Sequence, residues 1–463
     1  MSVAKIQLPR KPNYIKIEIE QNFFELFKKI ELHSDSCFLL ESLGHESYDS
    51  RYSIIGFDPE FMVRANGNHL YINETSYEYS NPYYALRELI PTDIISRNYA
   101  GGLVGYIAYE GMNYFEPSLK LPTLSTFDQF RFGLFLDGLI LDKMTGEVLY
   151  FYYNNNRITE IQKIISDNKK KDYSFDISFL GYTFTEEDHK KAVLEVIEEI
   201  KSGNTFQCQI GFKTEYSITG DLIPIYEKLR KVNPSPHMFY LKLKDQKIIG
   251  ASPELLFRLR SGEMETFPLA GSIRRGGNEE EDTNFAKILL NDPKEIAEHN
   301  MLVDLHRNDM GRVAKFGTVK VRRLMDIKKF SHIQHISSEV TGIIKKEDDM
   351  FSGFASSFPA GTLSGAPKIE SMKIISRIEK LPRGPYGGAL GHFGLNGNCT
   401  FAIPIRTLFV SGNYGYTQAS GGIVYDSIPS NEYDEITRKS AALQNILFHY
   451  KNVRDKNESS YTR

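Results

Sequence analysis

No stretch of this chain approaches the roughly 18 consecutive apolar residues of a membrane span. Its opening, Met1-Ser-Val-Ala-Lys-Ile-Gln-Leu-Pro-Arg-Lys-Pro12, lacks the apolar core of a secretory signal, and the expected compartment is the cytoplasm. Cysteine is scarce. Cys37, Cys208 and Cys399 are odd in number and far apart, with no C-x-x-C pair and no histidine at zinc-finger spacing, which argues against disulfides and structural zinc. Charge of one sign is lacking too: a net charge of −3 gives no global attraction to nucleic acid or an anionic membrane. Neither G-x-x-x-x-G-K-[ST] nor G-x-G-x-x-G occurs, so nucleotide chemistry is disfavoured. Partners have to be argued from local sites.

What is present is ample core material, 463 residues of which 41% are hydrophobic, enough for two or three domains. Residues 51–153 are dense in short β-type runs such as Tyr52-Ser-Ile-Ile-Gly56 and Val148-Leu-Tyr-Phe-Tyr152. From Asn154 to Gly181 the composition turns polar and basic, which suggests a first domain over 1–155, a linker over 156–181, a second domain over 182–450 and a polar tail over 451–463. A helix then starts where Thr185 and Asp188 form a capping box. Val193, Val196, Ile197 and Ile200 make its apolar stripe, and Gly203 ends it.

Two carboxylate pairs stand out. Asp292 is a good N-cap and Pro293 suits the first helical position, so Glu295 and Glu298 share one helix face. Glu432 and Glu435 repeat the spacing, with Lys439 four residues further on. Two such faces could meet around one cation. Carboxylates without clustered cysteine or histidine favour a hard ion such as Mg²⁺, while either pair alone reads as well as a solvated helix surface. Gly361-Thr-Leu-Ser-Gly-Ala-Pro-Lys368 leads into a helix whose free N–H groups could hold an anion. Arg383-Gly-Pro-Tyr-Gly-Gly388, the strand-like Phe401-Ala-Ile-Pro-Ile-Arg406 and Gln418-Ala-Ser-Gly-Gly-Ile-Val424 combine arginine with glycines that permit close backbone approach. An acid ligand would suit them, and tight turns between packed strands are the alternative.

In order and spacing these segments resemble the chorismate-utilising enzymes. The match runs through Gly250-Ala-Ser-Pro-Glu254, Pro268-Leu-Ala-Gly-Ser272, Glu298-His-Asn-Met-Leu-Val-Asp-Leu305, Arg307-Asn-Asp309, His335 and Gly361 to Lys368. It continues through Arg383 to Gly388, Arg406 and Glu432 to Lys439. Leu39-Leu-Glu-Ser42, Arg51 to Gly56 and Gly101 to Glu110 look like the family's N-terminal domain. The resemblance implies an α+β fold, with large antiparallel sheets and helices packed outside. It also implies direct Mg²⁺ ligands at Glu298 and Glu435, with Glu295 and Glu432 acting through water. Gly271 and Ser272 would be among the substrate-binding residues. Tyr386, Arg406, Lys439 and the backbone of Ser420, Gly421 and Gly422 would hold the pyruvyl carboxylate. Glu254 looks like the general acid for the departing 4-hydroxyl, His335 like the histidine that supports proton transfer as pyruvate leaves, and Thr362 like the hydroxyl that orients the ring.

Within the family, relatives that add water place a lysine base where this chain has Gln207, and glutamine cannot deprotonate water. Aminodeoxychorismate synthases place a nucleophilic lysine where Ala270 stands. The closest resemblance is therefore to the large subunits that aminate chorismate with ammonia and release anthranilate and pyruvate, the first committed step towards tryptophan. An aminodeoxychorismate synthase component and a non-catalytic regulatory homologue are the alternatives. No cysteine lies in the G-x-C-x-G setting of a glutamine amidotransferase, so ammonia is expected from a separate amidotransferase subunit in a hetero-oligomer. Leu39 to Ser42 and Asn233 to Met238 resemble the tryptophan feedback site, with Ser42, Pro236, His237 and Met238 as contacts, although His237 stands where tyrosine is usual.

Overall fold

Alternation along single strands sets up the layers. In His237–Leu243, Phe239, Leu241 and Leu243 enter one hydrophobic core while Met238 and Tyr240 enter another, because successive side chains of a strand point to opposite faces. Ser36–Glu41 beside it repeats the pattern, with Phe38 in the first core and Cys37 and Leu39 in the second. The computed structural model describes residues 5–19, 22–43, 51–96, 98–167, 171–330 and 333–458. Within them the fold is α+β, built on two twelve-stranded sheets whose pairings are all antiparallel, with helices on the outside.

The first sheet runs Asn13–Ile17, Glu147–Tyr152, Gly138–Asp142, Tyr52–Phe57, Ser36–Glu41, His237–Leu243, Gln246–Ser252, Thr407–Ser411, Tyr414–Ile423, Gln207–Gly220, Phe175–Tyr182. The second includes Leu269–Arg274, Ile333–Ile343, Leu255–Arg260, Cys399–Ala402, Ala389–Gly394, Gly102–Ile107 and Phe130–Phe135. Their inner faces share one core, where Phe239, Phe409 and Tyr416 of the first sheet join Tyr106, Phe132, Phe257 and Phe401 of the second. The outer face of the first sheet is covered by Phe23–His33, Ile223–Val232 and Pro429–Glu458. A third cluster joins Glu186–Lys201 and Lys368–Glu379 to Cys208, Ile210 and Ile423.

Both sheets take strands from either side of residue 155, and Met238 pairs with Glu41 across it. The boundary expected there is a change of composition, not a break between cores. The stretch 156–181, expected as a linker, holds the helix Ile158–Ser166, with Ile161 and Ile164 buried, and most of the edge strand Phe175–Tyr182. Its polarity is that of elements with one wet face; Lys169 and Lys170 lie outside the described residues. The last helix runs to Glu458, and the rest of the expected tail lies outside the described residues. The capping box of Thr185 and Asp188 and the Asp292–Pro293 helix start are both as the sequence predicts.

Candidate active site

Antiparallel pairing of Gln207–Gly220 with Tyr414–Ile423 puts Gln209 opposite Gly422 and Gly211 opposite Ser420. One face of this ribbon lines a cavity of about 260 Å³ that opens between it, Leu269–Ser272 and the helices carrying the four glutamates. Glu254, Gly271, Ser272, Glu295, Glu298, His335, Thr362, Tyr386, Arg406, Ser420, Gly422, Glu432, Glu435 and Lys439 all line it. Gly421 is not part of its lining, and an added Cβ there would come 3.4 Å from Glu432 Oε2.

Glu254 follows a short turn in which its N–H donates to Ser252 Oγ at 3.2 Å. Its carboxyl is buried and accepts from Thr362 Oγ1 at 2.9 Å. Burial pushes it up to about 8, against the opposing pull of the Thr362 hydroxyl and the Arg406 charge. His335 sits on Ile333–Ile343, its Nδ1 3.1 Å from the Gly271 carbonyl oxygen. A carbonyl only accepts, so Nδ1 carries the proton and Nε2 keeps its lone pair. Burial and Arg406 push this histidine down to about 4, so the ring is neutral.

The expected strand through Phe401 to Arg406 ends at Ala402. Pro404 offers no N–H, and Arg406 adopts a left-handed φ of 51°. The break turns Arg406 into the cavity, where its guanidinium makes no hydrogen bond or ion pair with any described residue. Tyr386 OH and Ser420 Oγ lie 2.9 Å apart, and Ser420 Oγ donates to Gln209 Oε1 at 3.1 Å. Lys439 Nζ donates to the Ser420 carbonyl at 3.0 Å and pairs with Glu435 at 2.7 Å.

Glu295 and Glu298 project from Pro293–Gly311, and Glu432 and Glu435 from Pro429–Glu458, into the same cavity. Burial raises Glu298, and the charges of Glu295 and Glu435 raise it further, against a hydrogen bond from Gln207 Nε2 at 3.0 Å. Burial raises Glu295 and Glu432 too, again with Glu435 adding. Four mutually repelling carboxylates with few cations among them make an acceptor set that a hard dication would relieve. Among the described residues no three His, Cys, Asp or Glu side chains already close around one point. Gly271, at φ 76°, leaves the space that Glu295 uses: an added Cβ would lie 2.8 Å from its Oε2.

Two expectations shift, and two further residues join the site. The start of Lys368–Glu379 does not line the cavity, and Lys368 is paired with Asp309 at 2.6 Å; the segment contributes Thr362 and Leu363 instead. Arg383 is buried behind the site. Its guanidinium donates to Glu379 at 2.7 and 2.8 Å, to the Gln209 carbonyl at 3.0 Å and to the Leu363 carbonyl at 2.5 Å. Gln209, and Gln418 at the head of the expected acid-ligand segment, also line the cavity. Their signal is a polar residue at every second position of a strand facing a core.

Ser42, Pro236, His237 and Met238 meet in a second cavity of about 220 Å³ between the sheets. Ser42 Oγ, Tyr99 OH and His392 Nδ1 are buried at its walls without hydrogen-bond partners among the described residues, a cost normally met by a ligand or ordered water. The segments through 253–260, 386–392 and 400–406 each contribute to both cavities.

Residues 35–445 match the model of the chorismate binding enzyme family. The anthranilate synthase component 1 of Leptospira biflexa is 56% identical over 96% of this chain and 98% of its own length. That of Methanothermobacter thermautotrophicus is 42% identical over 96% of each chain. The crystal structure of anthranilate synthase component I from Streptococcus pneumoniae superposes with a TM-score of 0.76 at 30% identity, covering 87% of this chain and 94% of that one.

Proposed function

This chain belongs to the chorismate binding enzyme family, and from that premise we propose that it converts chorismate and ammonia to anthranilate and pyruvate in tryptophan biosynthesis. The observation that carries the reading is Glu254, a buried carboxyl pushed up to about 8 and held by Thr362 beside an unpaired Arg406. Loss of the 4-hydroxyl needs a neutral acid at neutral pH. Thr362 holds Oε1 of Glu254, and the protonated carboxyl passes its proton to the leaving oxygen. Arg406, Tyr386, Lys439 and the Ser420–Gly422 backbone hold the pyruvyl carboxylate, the arginine by a bidentate grip. His335 Nε2, free and neutral, takes the proton of the aminated carbon as the pyruvyl ether departs.

Glu298 and Glu435 would hold Mg²⁺ directly, with Glu295 and Glu432 through water. When bound, the ion supplies the positive charge that fixes and neutralises the ring carboxylate. Gln207, committed to Glu298, cannot activate water, which favours ammonia, already nucleophilic when unprotonated. The relatives' designation as component 1 supports a second component, which we assign as the glutamine amidotransferase subunit of a hetero-oligomer. Three unpaired, buried cysteines suit a reducing cytoplasm. The second cavity, with its unpartnered hydroxyls and imidazole, is the tryptophan feedback site of this reading.

The test is to supply the purified chain with chorismate, Mg²⁺ and an ammonium salt at mildly alkaline pH and identify the product by fluorescence and mass. Anthranilate that disappears with Glu298→Ala supports the reading. An amino product retaining the pyruvyl ether would replace it with the aminodeoxychorismate reaction, and no turnover would leave a regulatory homologue. Tryptophan that leaves the rate unchanged at saturation would remove the feedback assignment alone.

A further inference from the structure

Gln418 is a polar side chain with nothing to do in the folded chain. It lies on Tyr414–Ile423 and is 7% exposed. It lines the catalytic cavity, yet its Oε1 is sealed without a donor, and neither amide atom bonds any described residue. A buried amide left like this destabilises a protein by about 1–3 kcal/mol per unsatisfied group, and its NH₂, in a residue of the cavity wall and bonded to no described residue, is free to donate to a ligand.

Its neighbours say which ligand group. Thr417 pairs with Leu408, so the register brings Gln418, one residue on, level with Thr407, and Arg406, whose guanidinium is unpaired, lines the same cavity. On the other side its register partner is Lys213, a buried ammonium 4.2 Å from the centre of the Tyr416 ring. A cation on the buried side favours the amide oxygen there and the NH₂ towards the cavity. The cavity wall then offers a permanent cation at Arg406 and a neutral, fixed donor next to it, a combination suited to the two oxygens of one carboxylate.

We propose that Gln418 is a substrate-contacting residue whose carboxamide N–H donates to the carboxylate that Arg406 neutralises, the enolpyruvyl carboxylate of chorismate. This rests on the reading of Arg406 given above. The amide adds direction where the guanidinium adds charge, and it brings no second cation whose own hydration would have to be stripped away.

The experiment compares Gln418→Leu and Gln418→Glu with the wild type by chorismate KM, ammonium KM, kcat and melting midpoint, using ammonium as nucleophile with Mg²⁺. Leucine fills the space and removes the unsatisfied amide, so the midpoint without substrate should stay level or rise. The chorismate KM should increase roughly tenfold or more, the worth of a hydrogen bond to a charged group, while the ammonium KM stays put. Glutamate, of the same shape, sets a carboxylate against a carboxylate and should raise the chorismate KM further. An unchanged chorismate KM in both variants overturns the proposal, as does a lower midpoint with an unchanged KM, the mark of a purely structural amide. Should the wild type fail to aminate chorismate, the functional reading falls first; a working wild type with indifferent variants sinks only the role of Gln418.

Discussion

Replacing Thr362 by valine removes one hydroxyl and keeps the shape. That hydroxyl donates to Glu254 Oε1 at 2.9 Å and is the leading influence opposing the effect of burial on the carboxyl. A hydrogen bond to a charged group is worth about 1.5–3 kcal/mol, and one pKa unit corresponds to about 1.4 kcal/mol. Glu254, now near 8, should therefore move up by roughly one to two pH units. Since Glu254 acts as its protonated form, activity falls on the alkaline side as it ionises. In Thr362→Val that limb should shift upward by the same amount, while the plateau drops because the ring loses an orienting contact. The assay is kcat/KM for chorismate against pH, which reports groups of the free enzyme, with free ammonia held constant so that ammonium titration does not masquerade as the limb. Thr362→Ser keeps the donor and should leave the limb in place. A limb that stays put in Thr362→Val, or moves to lower pH, refutes either the acid role of Glu254 or the electrostatic account of its environment.

A carboxyl whose folded value lies above its ordinary 4.5 does no harm while protonated in both states and destabilises increasingly as pH climbs to about 8. Glu254→Gln should thus raise the melting midpoint at pH 8.5 and give no gain near pH 4.5, which melting curves across that range would check. Mg²⁺ without substrate should raise the wild-type midpoint by relieving the four carboxylates, and Glu298→Gln should raise it in the absence of metal and blunt the Mg²⁺ response; equal responses in both proteins would remove Glu298 from the metal site. Arg383→Met strands the buried Glu379 and the carbonyls of Leu363 and Gln209, at a cost of about 3–5 kcal/mol in denaturant unfolding. Adding Glu379→Leu should recover a good part of that loss, and a double variant no better than the single would show that the ion pair is not the source.

Local rules account for what could be read without coordinates. The capping box at Thr185, the Asp292–Pro293 helix start and the three-residue spacing of each glutamate pair depend on neighbours within one turn, and the structure keeps all of them. Alternating strands announced the sheets. Order and spacing of the motifs carried the family, because Glu254, His335, Arg406 and the rest hold fixed places along the chain whatever the loops between them do.

The tertiary structure decided everything that depends on residues far apart in sequence. Pairing across residue 155 merged what composition separates into halves, since strand partners are chosen by register and shared core, not by chain distance. The linker's polarity concealed a helix and an edge strand with one wet face each. Glu254 is an ordinary glutamate in the sequence and becomes an acid of about 8 only because the tertiary fold buries it, a rise that Thr362, Arg406 and Leu269 partly offset. Arg383, equally plain among glycines, proves to be the buried clamp behind the site. Spacing alone put Glu295 beside Glu298 and Glu432 beside Glu435, because a helix turn fixes such distances. That the two pairs face one cavity follows from where Pro293–Gly311 and Pro429–Glu458 pack, which no local rule determines.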